Sequence, residues 1–315
     1  MLLTLLVISL VSACYGSANP QNTNSVNRPA DSVGTKTNEK RDNELQKEIE
    51  QIAAAAKGRV GVEAVVLETG ETASMNADAH FPMQSVYKFP IAMTALAQVD
   101  AGRLKLEQKV RVEKSDFVRE GQRSPVRDQN PQGVELSLME LLRYAVSESD
   151  GTASDVVLRV VGGADVVNKY LSDLQVSGLV VLNTEKEIGR DWETQYRNWA
   201  SPEGAVSLLR ALYDRRGLSE QSRALLLKLM TETPTGLKRL KGLLPKDAVV
   251  AHKTGTSGAN KSGINAATND IGIITLPNGR HLVIAVFVSD SPADEATREG
   301  VIAKIARAAW DRLSR

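Results

Sequence analysis

Ser85 and Lys88 stand three positions apart, immediately before an apolar stretch at residues 89–99. This stretch predicts a buried helix, and residues three apart on a helix lie on the same face. Ser85 would then lie at the N-terminal end, where the helix dipole is positive, with Lys88 beside it. A serine hydroxyl becomes an effective nucleophile when a nearby base accepts its proton. The pair is therefore a candidate nucleophile and base, although a capping serine followed by a solvated lysine has the same spacing.

Two further polar motifs follow later in the chain. Ser-Asp-Gly at 149–151 ends the amphipathic helix pattern that begins at Ser137, and Lys-Thr-Gly-Thr-Ser-Gly at 253–258 follows the apolar run 248–251. The apolar run predicts a strand, so the last motif lies on or just after that strand. The three motifs together are more informative than any one of them, because both their order and their spacing are restricted.

Hydrophobic periodicity indicates which elements must position these motifs. Residues 45–56 repeat apolar side chains at helical spacing, and residues 59–67 alternate as a half-buried strand does. Near the other end, two β-rich runs at 270–276 and 281–288 are joined by a turn that contains Asn-Gly, a strong hairpin signal. The last element, at 301–313, is helical again.

Between these ends, the pattern of residues 81–230 is nearly all helical, and strands are expected only near the two termini. The simplest architecture is α/β plus all-α, in which one antiparallel sheet is built from both ends of the chain and flanked by helices. We expect an α/β domain at 42–80 and 231–315, with a helical domain at 81–230 inserted into it. The cleft between the two parts is where a ligand site is favoured.

The composition excludes several classes of function. The 315 residues include 39 basic and 38 acidic side chains, a net charge of +1, so no excess charge is available to attract nucleic acid. A single cysteine, Cys14, excludes an intramolecular disulfide and a cysteine-based zinc site. The histidines His80, His252 and His281 lack ligand spacing and are interpreted as structural. We therefore predict neither a metal nor a cofactor.

The N-terminal segment differs from the rest of the chain. It opens with an apolar run that is too short to span a bilayer but typical of a signal peptide, which we place at 1–18. The tetrapeptide Val-Ser-Ala-Cys at 11–14 resembles a lipobox, in which Cys14 would become the lipid anchor, and ordinary cleavage after Ala18 is the alternative. Residues 19–41 are polar and predict a disordered tether. The sequence thus predicts export to the periplasm, with or without a lipid anchor.

The order serine-x-x-lysine, Ser-Asp-x, Lys-Thr-Gly resembles that of the class A serine β-lactamases. Within this class the chain looks most like the PER/VEB-like extended-spectrum branch, through Gln-Tyr-Arg-Asn-Trp at 195–199, Thr-Pro-Thr-Gly-Leu-Lys-Arg at 233–239 and the segment 253–258. The resemblance extends from about Asn43 to the C-terminus. It implies the β-lactamase/penicillin-binding transpeptidase-like fold and a monomeric enzyme that confers antibiotic resistance. Its small-molecule substrates would be penicillins and cephalosporins, whose β-lactam amide it would hydrolyse.

The resemblance also implies roles for individual residues. Ser85 would be the nucleophile that forms an acyl-enzyme, and Lys88 would be its base or proton relay. Ser149 would pass a proton to the ring nitrogen, and Lys253 would be a cation near the substrate carboxylate. The backbone N–H groups of Ser85 and Thr256 would form the oxyanion hole, in which each preorganised donor contributes about 3–4 kcal/mol. The further substrate-binding residues would be Asp150, Gly151, Thr254, Gly255, Thr256, Ser257, Arg239 as a second cation, and Arg123, in a place where an aromatic side chain commonly flanks the substrate.

Hydrolysis of the acyl-enzyme requires a glutamate that activates water, and the loop after the helical core offers Glu185, Glu187 and Glu193. Glu185 is favoured because its separation from Ser149 suits the family and because Ile188 follows it in the place of an apolar anchor. Glu193 is the alternative, because the tryptophan before it mimics a Trp-Glu pair often seen in this loop. A glutamate without this role would be a solvated loop charge.

Two glycines depart from the pattern of the family. Gly189 stands where an asparagine usually helps to hold the deacylating water, and Gly151 replaces an asparagine that would hydrogen-bond Lys88 and the substrate amide.

Two rival functions share the serine-lysine chemistry. A penicillin-binding D,D-peptidase keeps its acyl-enzyme, because no glutamate-held water attacks it, and Glu185 argues against this function. A β-lactam sensor domain is a binding module that is acylated once. Such domains are usually attached to transmembrane segments, and the sequence predicts none.

Overall fold

A five-stranded antiparallel sheet combines strands from both ends of the chain in the computed structural model, which describes residues 44–314. Strands β9 (Thr268–Thr275) and β10 (His281–Ser289) form the predicted hairpin, and β8 (Val250–Thr256) lies at one edge of the sheet. Gly279 takes a left-handed φ of 79° in the hairpin turn. The strands, in their order across the sheet, are β2 (Thr72–Met75), β1 (Arg59–Val66), β10 (His281–Ser289), β9 (Thr268–Thr275) and β8 (Val250–Thr256).

Strand β10 is buried on both faces of the sheet, which explains why its sequence is continuously apolar. Its alternate residues enter two separate cores. One core lies under helix α1 (44–53) and the C-terminal helix α10 (Glu295–Leu313), and the other lies under α8 (Pro202–Tyr213) and the remaining helices. The sheet is therefore the middle layer of the α/β part.

The chain between β2 and β8 is largely helical and packs on the second core. Its central helix, α2, is buried from Lys88 to Leu96, so that apolar residues surround it on all sides. The helices of this segment, besides α8, are α2 (Lys88–Asp100), α3 (Pro125–Gln129), α4 (Leu138–Val146), α5 (Gly151–Val161), α6 (Ala164–Asp173), α7 (Glu185–Ile188) and α9 (Glu220–Thr231).

Strands are not confined to the two ends of the chain, and in this respect the prediction was wrong. Each additional strand has only two to four residues, and although Lys-Val-Arg-Val at 109–112 alternates, so short a run is a weak strand signal. The domain boundaries placed at residues 80 and 230 stay predictions. The additional strands form the small sheets β3-β7-β6 and β4-β5, from β3 (Phe81–Pro82), β4 (Lys109–Val112), β5 (Val134–Ser137), β6 (Leu179–Val180) and β7 (Trp199–Ala200).

The predicted signal peptide at 1–18, the tether at 19–41 and Cys14 lie outside the described residues. Within residues 44–314, no helix combines the length and the apolar character needed to cross a membrane.

Candidate active site

Ser85 lies in a single 3-10 turn, Gln84–Tyr87, that leads directly into α2. Gln84 adopts a left-handed φ of 47°, and its buried side-chain amide donates to Gln195 Oε1 at 2.7 Å. These features fix the start of the turn. Ser85 is consequently presented, half-buried, at the wall of a cleft.

The edge strand β8 lies directly against the turn Gln84–Tyr87, which is named the nucleophile turn after the predicted role of Ser85. Gly255 permits the approach, because a Cβ at this position would overlap the carbonyl oxygen of Met83. From the neighbouring strand, Asn269 Nδ2 donates to Pro82 O at 2.8 Å and to Met83 O at 3.2 Å. The contacts hold Thr256, the residue after Gly255, on the same cleft as the nucleophile turn.

Lys88, three residues after the predicted nucleophile Ser85, is buried. Its side chain is 1% exposed, its Nζ donates to Ser149 O at 2.8 Å, and Glu185 Oε2 lies 3.3 Å from the same Nζ. A buried charge is tolerated in a protein interior when it is paired and hydrogen-bonded. Glu185 is therefore the counter-ion that allows Lys88 to be buried beside Ser85.

Lys253 and Ser149 form a second pair of a lysine and a hydroxyl. Ser149 has a φ of 57° and accepts a hydrogen bond on Oγ from Lys253 Nζ at 2.8 Å; the same Nζ donates to Thr254 O at 3.1 Å. Burial, together with the positive charge of Lys88, holds the pKa of Lys253 well below its usual range. Since Ser149 accepts from Lys253, its own hydroxyl proton stays available for another acceptor.

Glu185 begins the short helix α7 and is held by residues that are remote in sequence. Its backbone N–H donates to Asp155 Oδ1 at 2.6 Å, and that of Lys186 donates to Asp155 Oδ2 at 3.0 Å. Gln122 Nε2 donates to the Glu185 carbonyl at 2.5 Å, and Tyr87 Oη donates to Glu185 Oε2 at 3.2 Å. Both the backbone and the carboxylate of Glu185 are thus fixed from outside the loop.

Asp155, Gln122 and Tyr87 were not predicted from the sequence. Asp155 carried a usable signal, because it follows Gly151 by four positions in α5 and so lies on the same helix face. Gln122 and Tyr87 carried no comparable signal in the sequence. Burial raises the pKa of Asp155 to about 7. Burial, followed by the charge of Glu185, also raises the pKa of Tyr87, which stays a neutral donor.

Among the three candidate glutamates, Glu185 is the one that lies beside Lys88. Glu187 instead caps its own helix, since its carboxylate accepts from Thr184 N at 2.9 Å, and this hydrogen bond lowers the pKa of Glu187. Glu193 is exposed. The geometry therefore separates three residues that the sequence left in competition.

The two unusual glycines make room for neighbouring side chains. A Cβ on Gly151 would lie 2.7 Å from Glu185 Cγ, and a Cβ on Gly189 would lie 2.6 Å from Gln122 Cδ. Real Cβ contacts are longer than both distances. The volume next to each glycine is consequently occupied by Glu185 and Gln122.

The cleft has a volume of about 510 Å³. Lys88 and Lys253 are buried and do not line it, and both reach its wall through Ser149. Within residues 44–314, no group of three or more His, Cys, Asp or Glu side chains is arranged to hold a metal ion. The predicted site residues that line the cleft are Ser85, Arg123, Ser149, Glu185, Arg239, Thr254, Thr256 and Ser257.

Asp150 was expected to bind substrate, but its side chain lies away from the cleft. Its carboxylate is fully buried and accepts hydrogen bonds from Val126 N at 2.6 Å, Ala153 N at 2.8 Å and Ser124 Oγ at 3.0 Å. It therefore caps helix α5, and its side chain does not line the cleft.

Comparisons with known proteins identify the family. Residues 44–313 match the model of the beta-lactamase enzyme family. The chain is 42% identical over 269 residues to β-lactamase VEB-1 of Pseudomonas aeruginosa, a match that covers 85% of this chain and 89% of that protein. The chain belongs to the β-lactamase family.

Two further comparisons specify the branch. Extended-spectrum β-lactamase PER-1 of Pseudomonas aeruginosa is 41% identical over 266 residues, covering 84% of this chain and 86% of that protein. The crystal structure of the TLA-1 extended-spectrum β-lactamase matches with a TM-score of 0.84 at 43% identity, covering 87% of this chain and 99% of that one. The resemblance to class A enzymes of the PER/VEB-like branch, and the fold predicted from it, are confirmed.

Arg239 of this β-lactamase lies at the cleft and stabilises the end of strand β8. It is 3% exposed, its Nε donates to Glu299 Oε1 at 3.0 Å, and its Nη1 donates to the carbonyls of Gly255 at 3.1 Å and Asn269 at 3.0 Å. Its Nη2 donates to Thr256 Oγ1 at 2.8 Å. The expected second cation is thus at the cleft, but Glu299 already balances its charge.

The remaining predicted residues lie at the edges of the cleft. Arg123 is exposed at the rim, where its Nε donates to Glu148 O at 2.7 Å and its Nη2 lies 3.3 Å from Glu148 Oε2. Thr254 Oγ1 shares a hydrogen bond of 2.9 Å with Thr235 Oγ1. Ser257, at the end of β8, donates to Gly258 O at 2.9 Å.

Proposed function

We propose that this β-lactamase opens the β-lactam ring through an acyl-enzyme on Ser85 and hydrolyses it with water that Glu185 activates. The observation that carries the proposal is the 3.3 Å contact between Glu185 Oε2 and Lys88 Nζ, at a cleft that Ser85 and Glu185 both line. A carboxylate in this position can accept a proton from a water molecule in the cleft that Ser85 lines.

In the first step, Ser85 Oγ attacks the carbonyl carbon of the β-lactam while its proton passes to Lys88, which accepts it as a neutral amine after giving a proton to Glu185, or relays it. The backbone N–H groups of Ser85 and Thr256 stabilise the negative charge that develops on the carbonyl oxygen. When the C–N bond of the ring breaks, the nitrogen takes the hydroxyl proton of Ser149. Lys253, whose Nζ lies 2.8 Å from Ser149 Oγ, stabilises the oxygen that remains until Ser149 takes up the proton that Lys88 received from Ser85.

In the second step, Glu185 accepts a proton from water while the water oxygen attacks the ester carbonyl. The bond between this carbon and Ser85 Oγ breaks, and Ser85 takes the proton that Glu185 received from water, which restores the Glu185 carboxylate. One water molecule is consumed for each ring opened.

We also infer that cephalosporins are hydrolysed at least as well as penicillins. The names of PER-1 and TLA-1 describe both as extended-spectrum enzymes. In this chain the small residues Ser257, Gly258 and Ala259 line the strand end of the cleft and leave room for bulky substituents. Strong resistance to ampicillin without resistance to cephalothin or ceftazidime, at comparable expression, would contradict the inference.

Turnover of nitrocefin tests the mechanism against both rivals. Many turnovers per protein molecule are expected of this enzyme. A single stoichiometric burst is expected of a D,D-peptidase or of a β-lactam sensor, and would overturn the proposal.

The N-terminal sequence supports export to the periplasm with a lipid anchor on Cys14. The expected result for Cys14→Ala is release of the enzyme from the membrane fraction with unchanged specific activity. A wild-type enzyme found entirely in the soluble fraction would overturn the lipid anchor.

A further inference from the structure

The space beside Gly189 is filled by the side chain of Gln122. Gly189 follows helix α7 and lines the cleft together with Glu185. An ideal Cβ on Gly189 would lie 2.6 Å from Gln122 Cδ and 2.7 Å from both Nε2 and Oε1. A side chain at position 189 would therefore require the Gln122 amide to move away from its present position. A carboxamide from another part of the chain stands where the side chain of residue 189 would begin.

The orientation of this carboxamide follows from its two partners. Arg119 N donates to one end of it at 3.0 Å, and Glu185 O accepts from the other end at 2.5 Å. A backbone N–H can only donate and a carbonyl can only accept, so Oε1 must face Arg119 and Nε2 must face Glu185. A flipped amide would lose both hydrogen bonds.

The Nε2 group carries a second N–H, and Gln122 lines the cleft beside Glu185. We propose that this second N–H positions the deacylating water, so that Gln122 replaces the side chain missing at Gly189. The water donates one hydrogen to the Glu185 carboxylate and accepts from Gln122, which leaves a lone pair for the ester carbon. The inference rests on the proposed acyl-enzyme mechanism.

Gln122 also holds the backbone of the proposed base. It binds the Glu185 carbonyl, while Asp155 binds the Glu185 N–H at 2.6 Å from the other side. Removal of the Gln122 amide would therefore release one side of Glu185 and remove the donor to the water. Both effects act on deacylation.

The first test is Gln122→Ala, which should slow deacylation and spare acylation. We expect kcat and KM to fall together by about tenfold or more, since a hydrogen bond to a reacting group is lost. The ratio kcat/KM, which reports acylation, should stay within about threefold of wild type. Mass spectrometry should show an accumulated adduct. Gln132→Ala, at an exposed loop glutamine, is the matched control and should behave as wild type.

The second test uses the space that Gln122 and residue 189 compete for. Gly189→Asn alone should impair the enzyme, because the new side chain collides with the Gln122 amide. In Gln122→Ala/Gly189→Asn that space is free, and kcat should recover relative to Gln122→Ala. A merely structural role of Gln122 would not give this rescue. Gln122→Met keeps the side-chain volume without an N–H and replaces the alanine variant if that variant does not fold.

The outcomes separate the inference from the mechanism on which it rests. A wild-type deacylation rate in Gln122→Ala, a fall of kcat/KM equal to that of kcat, or a double variant no better than Gln122→Ala would each overturn the role of Gln122. The acyl-enzyme mechanism has its own test. If Glu185→Gln forms no adduct on Ser85, the proposed function fails, whatever the Gln122 variants do.

Discussion

The two walls of the cleft hold their chemical groups in different ways. On the strand wall, formed by β8 with Ser149, the register of the sheet and the close approach of Gly255 fix the positions of the polar groups. On the loop wall, formed by α7 with Gly189, the helix has four residues and cannot be stable by itself. Asp155, Gln122 and Tyr87 hold it from elsewhere in the fold. Regular structure thus lets a short motif specify one wall, whereas scattered residues specify the other.

Ser85 belongs to both walls, because β8 and the Lys88–Glu185 pair meet at the nucleophile turn. Ser85→Ala should abolish hydrolysis, by about 10³-fold or more, and leave the fold intact, since the hydroxyl forms the covalent bond. Nitrocefin turnover and circular dichroism are the measurements, with Ser262→Ala at an exposed loop position as the control. A folded Ser85→Ala protein with near-normal turnover would contradict the mechanism.

Glu185→Gln breaks the chemistry of the loop wall. The variant should still be acylated, because Lys88 can activate Ser85, but should stall as an acyl-enzyme, since a neutral amide cannot accept the proton of water. Mass spectrometry should then show a persistent adduct.

Glu187→Gln and Glu193→Gln are the matched controls for this variant. Both should turn over within a few-fold of wild type, because an amide at 187 can still cap the helix and the carboxylate at 193 is exposed. A long-lived adduct in Glu193→Gln, and none in Glu185→Gln, would reverse the assignment.

Gly255→Ala breaks the geometry of the strand wall without removing any polar group. The added Cβ would overlap Met83 O, so β8 and the nucleophile turn must move apart. A misplacement of about 1 Å can cost about 10²-fold in rate, and we expect a loss of this order in kcat/KM. The control is Gly300→Ala in α10, away from the cleft, where a Cβ would meet nothing within 4 Å and activity should stay within a few-fold. Equal losses in both variants would show that the close approach at Gly255 does not matter.

The sequence predicted the strand wall better than the loop wall for a physical reason. Apolar periodicity reports burial, so the central sheet and the buried helix after Ser85 could be predicted, and the short motifs lay at their ends. A polar side chain gives no such signal. Asp150 was expected to contact substrate, but it caps α5, while Asp155, five positions later in the chain, holds the backbone of Glu185. The partner of Gly189 was equally hidden, because Gln122 lies 67 residues before it.

Asp155→Asn tests how the loop wall is held, through the pH dependence of stability. Burial raises the pKa of Asp155 from 3.8 to about 7 in the folded protein, and the neighbouring Glu185 charge acts in the same direction. Between pH 4 and 7 the folded state therefore binds more protons at this group than the unfolded state does. The free energy of unfolding must then fall through this group as the pH rises through that range.

An asparagine at 155 is neutral at every pH and removes this slope. Asp155→Asn should be less stable than wild type at pH 5, by about 1–3 kcal/mol. Its amide nitrogen replaces one of the two oxygens that accept the N–H groups of Glu185 and Lys186, and a nitrogen of this kind cannot accept a hydrogen bond. The difference should shrink towards pH 8, where wild-type Asp155 is a buried anion. Urea unfolding at pH 5, 6, 7 and 8 measures it, with Asp247→Asn at an exposed position as the control. Parallel curves for wild type and Asp155→Asn would show that Asp155 titrates alike in the folded and unfolded states, and that its contact with the loop does not depend on burial.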